Sequence, residues 1–200
     1  GFSAPSVDSP LGAFKLVEDT SNEQHATWIT ASATVTANTD VTFTTYVKKI
    51  DRRYIAVGVA HSTSRGAVAQ FDLDTQSLVY SGGIGTIYTY VSSDIKSLGN
   101  DWYRLEFVCQ TTGTSIQPSI ALSDDIFTNP SILNSANFYT GDGTSGVYIF
   151  ASQLEQQSSA TSYIPTAGTT ISRTADSASK SGISSLINSS EGVLYFEAQI

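Results

Sequence analysis

Asp72 and Asp74 are the first groups in the sequence whose type and spacing suit chemistry. On a strand, positions i and i+2 share a face, so the two carboxylates would point the same way. Such a pair could serve acid–base hydrolysis of a glycosidic bond or ligate Ca²⁺ through oxygen. Asp142, in the glycine turn Gly141-Asp142-Gly143, is a third candidate ligand, and the adjacent Asp124 and Asp125 lie in a loop. The plainest reading of all of these is turn formation, because Asp accepts hydrogen bonds from its own downstream backbone. That reading comes first; a structural Ca²⁺ comes second and catalysis last. His25 and His61 could each act as a base or a ligand, with a backbone-bonded histidine at a strand edge or in a loop as the simpler reading. Cys109 alternates with apolar neighbours and is expected to be a small buried hydrophobe. A nucleophilic thiol would need exposure and a nearby positive charge.

Aromatic side chains offer a different chemistry. The chain holds ten Tyr, nine Phe and two Trp. Tyr88 and Tyr90 share a strand face with Thr86, and Ile87, Thr89 and Val91 share the other. With the aliphatic set inward, the two tyrosines form an outward stripe suited to stacking on sugar rings. With the register reversed, they belong to the core. Both readings stay open. Trp28 and Trp102 are expected to be packing residues near strand starts. The sequence contains no GxSxG elbow, P-loop or HExxH pattern, so no catalytic residue is expected.

Composition narrows the partners. The 200 residues carry 18 Asp and Glu against 10 Lys and Arg, a net charge of −8. Such a surface repels phosphate backbones, and the small basic cluster Lys48-Lys49 and Arg52-Arg53 is interrupted by Asp51, so no nucleic-acid partner is expected. No apolar run is long enough to suggest membrane insertion. A single Cys excludes an internal disulfide framework and a thiolate-rich zinc site. The start, Gly1-Phe2-Ser3-Ala4-Pro5, lacks signal-peptide character. With no Met and a final strand without a cap, the chain is expected to be a piece of something longer.

The elements that must position these groups are strands. Helical periodicity is almost missing, and period-two alternation is widespread. Tyr103, Leu105, Phe107 and Cys109 alternate with Arg104, Glu106, Val108 and Gln110. Val41, Phe43, Thr45 and Val47 alternate with Thr42, Thr44, Tyr46 and Lys48. Val147, Ile149 and Ala151 alternate with Tyr148, Phe150 and Ser152. Further strands are predicted over 13–18, 27–36, 54–60, 67–72, 77–81, 86–92, 115–122 and 169–174. Turns are predicted at Asn38-Thr39-Asp40, Asp72-Leu73-Asp74, Ser81-Gly82-Gly83, Gly99-Asn100-Asp101 and Gly141-Asp142-Gly143. This spacing predicts an all-β antiparallel sandwich or barrel. A Ser-rich stretch over 177–190 reads as a linker. It places a domain boundary near 176 and the first strand of another β-domain over 191–200.

Several segments together resemble a known pattern. Val41-Thr42-Phe43-Thr44-Thr45-Tyr46-Val47-Lys48-Lys49 is similar to a strand of jelly-roll domains in tailed-bacteriophage tail and fibre proteins. Gly99-Asn100-Asp101-Trp102-Tyr103-Arg104-Leu105 resembles their G-N-G-W-Y-R segment, with Asp101 in place of the second Gly. The stretch from Asn137 to Ile149, followed by Gln153-Leu154-Glu155, resembles their Y-x-G-D-G-x-x-G-x-Y-I-W-x-x-Q-L-E run, with Phe150 in place of Trp. Ser162-Tyr163-Ile164-Pro165-Thr166 and Ser172-Arg173-Thr174-Ala175-Asp176 resemble the close of the domain. Glu191 to Glu197 resembles the opening strand of a concanavalin-like (laminin-G-like) domain.

The resemblance implies a carbohydrate-binding-module-like jelly roll over 1–176. It implies a structural or adhesive module of a virion fibre or tail protein, contacting other virion proteins and host surface glycans. It also implies a homo-oligomer, commonly a trimer, located on the virion. The alternative is a carbohydrate-binding accessory of a secreted glycoside-active enzyme. A glycan depolymerase using the carboxylates has no motif behind it.

Overall fold

The computed structural model describes residues 12–28, 32–166 and 171–172. The chain divides into two compact units, Gly1–Pro165 and Thr166–Ile200, and all the described strands belong to the first. The boundary expected near 176, the linker over 177–190 and the strand over 191–200 lie outside the described residues, as does most of the strand expected over 169–174.

Fourteen strands succeed one another among the described residues: β1 (Phe14–Val17), β2 (Asn22–Glu23), β3 (His25–Trp28), β4 (Ala33–Thr34), β5 (Asp40–Lys49), β6 (Tyr54–Ser62), β7 (Arg65–Asp72), β8 (Ser77–Ile84), β9 (Tyr88–Gly99), β10 (Trp102–Thr111), β11 (Ser115–Ile116), β12 (Pro118–Ser123), β13 (Tyr139–Thr140) and β14 (Gly146–Glu155). One sheet has the order β1-β14-β5-β10-β9 and the other β3-β12-β6-β7-β8. All their pairings are antiparallel. Two short ladders, β4 with β11 and β2 with β13, tie the connections down.

The predicted alternation sets the inner face. Val41, Phe43 and Val47 from β5 and Leu105, Phe107 and Cys109 from β10 meet Ile55, Val57 and Val59 from β6, Phe71 from β7 and Ile120 and Leu122 from β12 in one buried cluster. The first unit is therefore a β-sandwich whose core lies between two five-stranded sheets. Each fully buried side chain of this size contributes about 1.5–3 kcal/mol relative to exposure.

The outer faces are also partly covered. Phe127 and Ile132, from the loop after β12, pack over Ala56, Val68 and Ala121 on the second sheet. Gln70 fastens that loop: its Nε2 donates to the Asp125 carbonyl at 2.8 Å and its Oε1 accepts from the Phe127 N–H at 2.7 Å. On the first sheet, Phe150 packs between Tyr46 and Tyr163, with ring centres 6.0 and 5.9 Å away.

Two local expectations change. Ser81-Gly82-Gly83 is not a turn but the interior of β8. Glycine at 83 answers a close approach within the strand: a Cβ there would stand 3.1 Å from the Tyr88 carbonyl oxygen. The chain instead reverses at Gly85, whose φ is +84°. In β14 the alternation fails after Phe150, where the register against β5 shifts and Ala151 takes a φ of +51°. This is a bulge, and it brings Leu154 back onto the core. The β9–β10 hairpin turns through Asn100 and Asp101, both at positive φ (52° and 62°), as a tight hairpin needs. Asp101 thus adopts the conformation that a glycine would favour.

Candidate functional site

The densest group of ionisable side chains is one that the sequence motifs only half reveal. Glu18 directly follows β1, and its N–H donates to the Ser145 carbonyl just before β14. Its carboxylate is fully buried. Arg52, in the β5–β6 connection, donates through Nε to Glu18 Oε2 at 2.6 Å and through Nη2 to Oε1. The Tyr139 hydroxyl, from β13, donates to Oε2 at 2.6 Å. The Asp142 N–H donates to Oε1 at 2.8 Å. Each oxygen thus takes two donors, which exhausts its lone pairs. The Arg52 guanidinium also lies over the Tyr139 ring, 5.1 Å from its centre, and 3.8 Å from Asp142 Oδ2.

His25, in β3, completes the cluster. Its ring centre is 4.4 Å from that of Tyr139. Its Nε2 lies 3.2 Å from the Tyr139 carbonyl, which can only accept, so Nε2 carries the proton. Its Nδ1 is 3.6 Å from Asp19 Oδ1. Gly141 is required here by space, since a Cβ would stand 2.0 Å from the Asp19 carbonyl oxygen and 2.8 Å from His25 Cε1.

Electrostatics follow from these contacts. Burial pushes the Glu18 carboxyl up, but the hydrogen bonds from Arg52, Tyr139 and Asp142 outweigh it and hold the group below its ordinary value. Burial, and then the bond to Glu18, pushes the Tyr139 phenol far above its ordinary value. A carboxylate kept ionised with four donors is a poor proton acceptor, and a phenol held this way is a poor acid. The arrangement clamps β1, β13 and the β5–β6 connection together. It does not present a reactive group.

The predicted carboxylates are held in a similar way. Asp72 ends β7 and is buried, and Arg53 forks onto it through Nε–Oδ1 at 3.0 Å and Nη2–Oδ2 at 2.6 Å. Its Oδ1 also accepts from the Asp74 and Thr75 N–H groups, which is the Asx turn. The Arg53 pairing, opposed by burial and aided by those N–H groups, holds the Asp72 carboxyl far below its ordinary value. Asp74 lies in the turn, not on the strand, where it pairs with Lys49 and sits 3.7 Å from Arg53 Nε. Asp142 accepts from the hydroxyls and N–H groups of Thr144 and Ser145, and the Ser145 hydroxyl is the main cause of its lowered pKa. Asp72 and Asp74 gather around Arg53 and Asp142 lies beside Arg52, so their charge is met by guanidinium groups. Among the described residues, no group of three or more His, Cys, Asp or Glu could hold a metal ion.

The tyrosine register is resolved inward. Tyr88 is buried in the core, and Tyr90 packs against it while its hydroxyl reaches Ser93 Oγ at 2.9 Å. Val91 is the exposed residue. The physical reason is the bulge in β9 at Val91, which puts Tyr90 opposite Cys109 and Tyr88 opposite Thr111. This corrects the outward stripe: Tyr88 has no free ring face for a sugar. Trp102 is buried, but Trp28, at the end of β3, is 38% exposed, against the packing role expected for it. His61 is exposed near the end of β6.

Cys109 is buried as expected, and desolvation pushes its thiol up to about 12. It should resist a thiol reagent such as DTNB at pH 8 in the folded chain and react at once in denaturant. Rapid labelling of the folded chain would contradict its placement.

No family model matches the chain, and no curated protein matches it in sequence.

Proposed function

We propose that this chain is a non-catalytic structural or adhesive module of a phage virion fibre or tail protein, folded as a jelly roll. The observation that carries the non-catalytic reading is the saturation of its buried acids. Glu18 takes four donors, and Asp72 takes a forked guanidinium and two turn N–H groups, so each acid serves the scaffold.

The jelly-roll reading is supported by strand order. If β1, β3, β5, β6, β7, β10, β12 and β14 are counted as strands one to eight, the sheets read 1-8-3-6 and 2-7-4-5, with β8 and β9 as an added pair at one side. The virion setting rests on the sequence resemblance, as does assembly into homo-oligomers, and host surface glycan is the external ligand this reading supplies.

The test uses antibodies raised against the chain. They should decorate the tail or fibres of the parent particle in electron micrographs. The chain alone should release no reducing ends from capsular or cell-wall polysaccharide. Absence of decoration would overturn the virion reading and favour an accessory module of a secreted enzyme. Polysaccharide cleavage lost on Asp72→Asn or Asp74→Asn would overturn the non-catalytic one.

A further inference from the structure

β9 is the free edge of the first sheet and, among the described residues, pairs with β10 alone. Its register against β10 shifts at two places, leaving Val91 and Leu98 without partners. Both are exposed. Between them runs a regular ladder from Ser92 to Ser97.

The charges on this ladder are placed unfavourably for a lone molecule. Asp94 lies directly opposite Glu106, and Lys96 directly opposite Arg104. Like charges facing across strands are destabilising. Asp94 and Lys96 are exposed, and neither has an ion-pair partner among the described residues. The nearest opposite charges in this group, Arg104 and Glu106, are 4.0 Å apart along one strand.

A second copy would answer this pattern. Place two β9 edges antiparallel about a twofold axis with Ile95 opposite Ile95. Each Asp94 then faces the other copy's Lys96, and each Lys96 faces its Asp94. The basic pair Arg104 and Lys96 of one molecule continues into the acidic pair Asp94 and Glu106 of the other, and the reverse holds in the next row. Shifting the register to put Asp94 opposite Asp94, or Lys96 opposite Lys96, sets like charges together. Ile95, half-buried and packed against the core, would meet its copy on the axis and close the open side of the sandwich there.

We infer that the β9 edge is a homotypic docking strand that takes a second copy of this chain, joining two five-stranded sheets into one of ten. Edge pairing supplies main-chain hydrogen bonds, and the crossed charges set the register. An isologous contact of this kind closes on itself, so it is separate from any threefold packing in a fibre. It does not depend on where the protein resides.

The test is sedimentation equilibrium of the 200-residue chain. The parent should dimerise reversibly, and more weakly as salt rises from about 50 to 500 mM. Asp94→Lys leaves two basic side chains on the ladder and Lys96→Asp leaves two acidic ones. Each variant alone should self-associate at least about tenfold more weakly. Mixed in equal amounts, the two should form a one-to-one heterodimer. Both positions are exposed, and unchanged circular dichroism would show that the variants fold. A monomeric parent, self-association that either charge reversal leaves intact, or a mixture that stays unassociated would each overturn the inference.

Discussion

Glu18→Ala is expected to lower the stability of the sandwich by about 3–5 kcal/mol, the range for breaking a buried ion pair from one side. For a domain of this size that corresponds to a fall in melting temperature of roughly 6–20 °C. The loss is large because four donors are stranded together: two guanidinium N–H groups of Arg52, the Tyr139 hydroxyl and the Asp142 N–H. Arg52→Ala should cost a similar amount, since it leaves a buried carboxylate facing only neutral donors. The double variant should cost clearly less than the sum, because most of each single penalty is the isolation of the other charge. Additive losses in urea titrations would show that the pair does not act as a unit.

Acid carries the same information. The folded Glu18 carboxyl sits below its ordinary value, so its stabilisation is complete above the unfolded pKa of about 4.3 and is lost as pH falls through and below that value. Glu18→Gln has no proton to take up there. Its stability should therefore fall less steeply with acid than the parent's, although it starts lower.

The sandwich was legible because its core strands alternate without interruption. Tyr103 to Cys109 and Val41 to Val47 face inward as their period requires. The pattern misleads where one residue is inserted. The bulge at Val91 turns Tyr88 and Tyr90 toward the core, and the bulge after Phe150 reverses β14. A single extra residue flips a whole face, and nothing in the local pattern marks where it falls. The Glu18 cluster was half visible: Tyr139, Gly141 and Asp142 stand in the glycine-rich stretch that resembles the jelly-roll motif. Glu18 and Arg52 do not, because a contact between Glu18 and Tyr139, spanning 121 residues, leaves no trace in spacing. Asp72 showed the opposite outcome. Its turn role was readable from Asp-x-Asp, but the guanidinium that pairs with it was not.

Gly146→Ala should be nearly as damaging as loss of Glu18, at about 3 kcal/mol, the upper end of overpacking costs. A Cβ on Gly146 would lie 2.0 Å from the Leu16 carbonyl oxygen and 3.1 Å from Val17 Cα. Both obstacles are backbone, so no side chain can swing aside, and β1 must move off β14. Gly82→Ala is the control, because its added Cβ would meet only Pro130 side-chain carbons at 3.6 and 3.8 Å, and it should cost little. The displaced β1 is the strand that delivers Glu18, whose own N–H is bonded to Ser145, the residue before Gly146. If the β1–β14 pairing is what brings the carboxylate to Arg52, then once Gly146→Ala has loosened it, removing Glu18 costs less. The combined Gly146→Ala and Glu18→Ala chain should therefore unfold at a urea midpoint well above the one that summing the two losses gives. Strict additivity would mean that Arg52 and Tyr139 hold Glu18 in place whether or not its strand is paired.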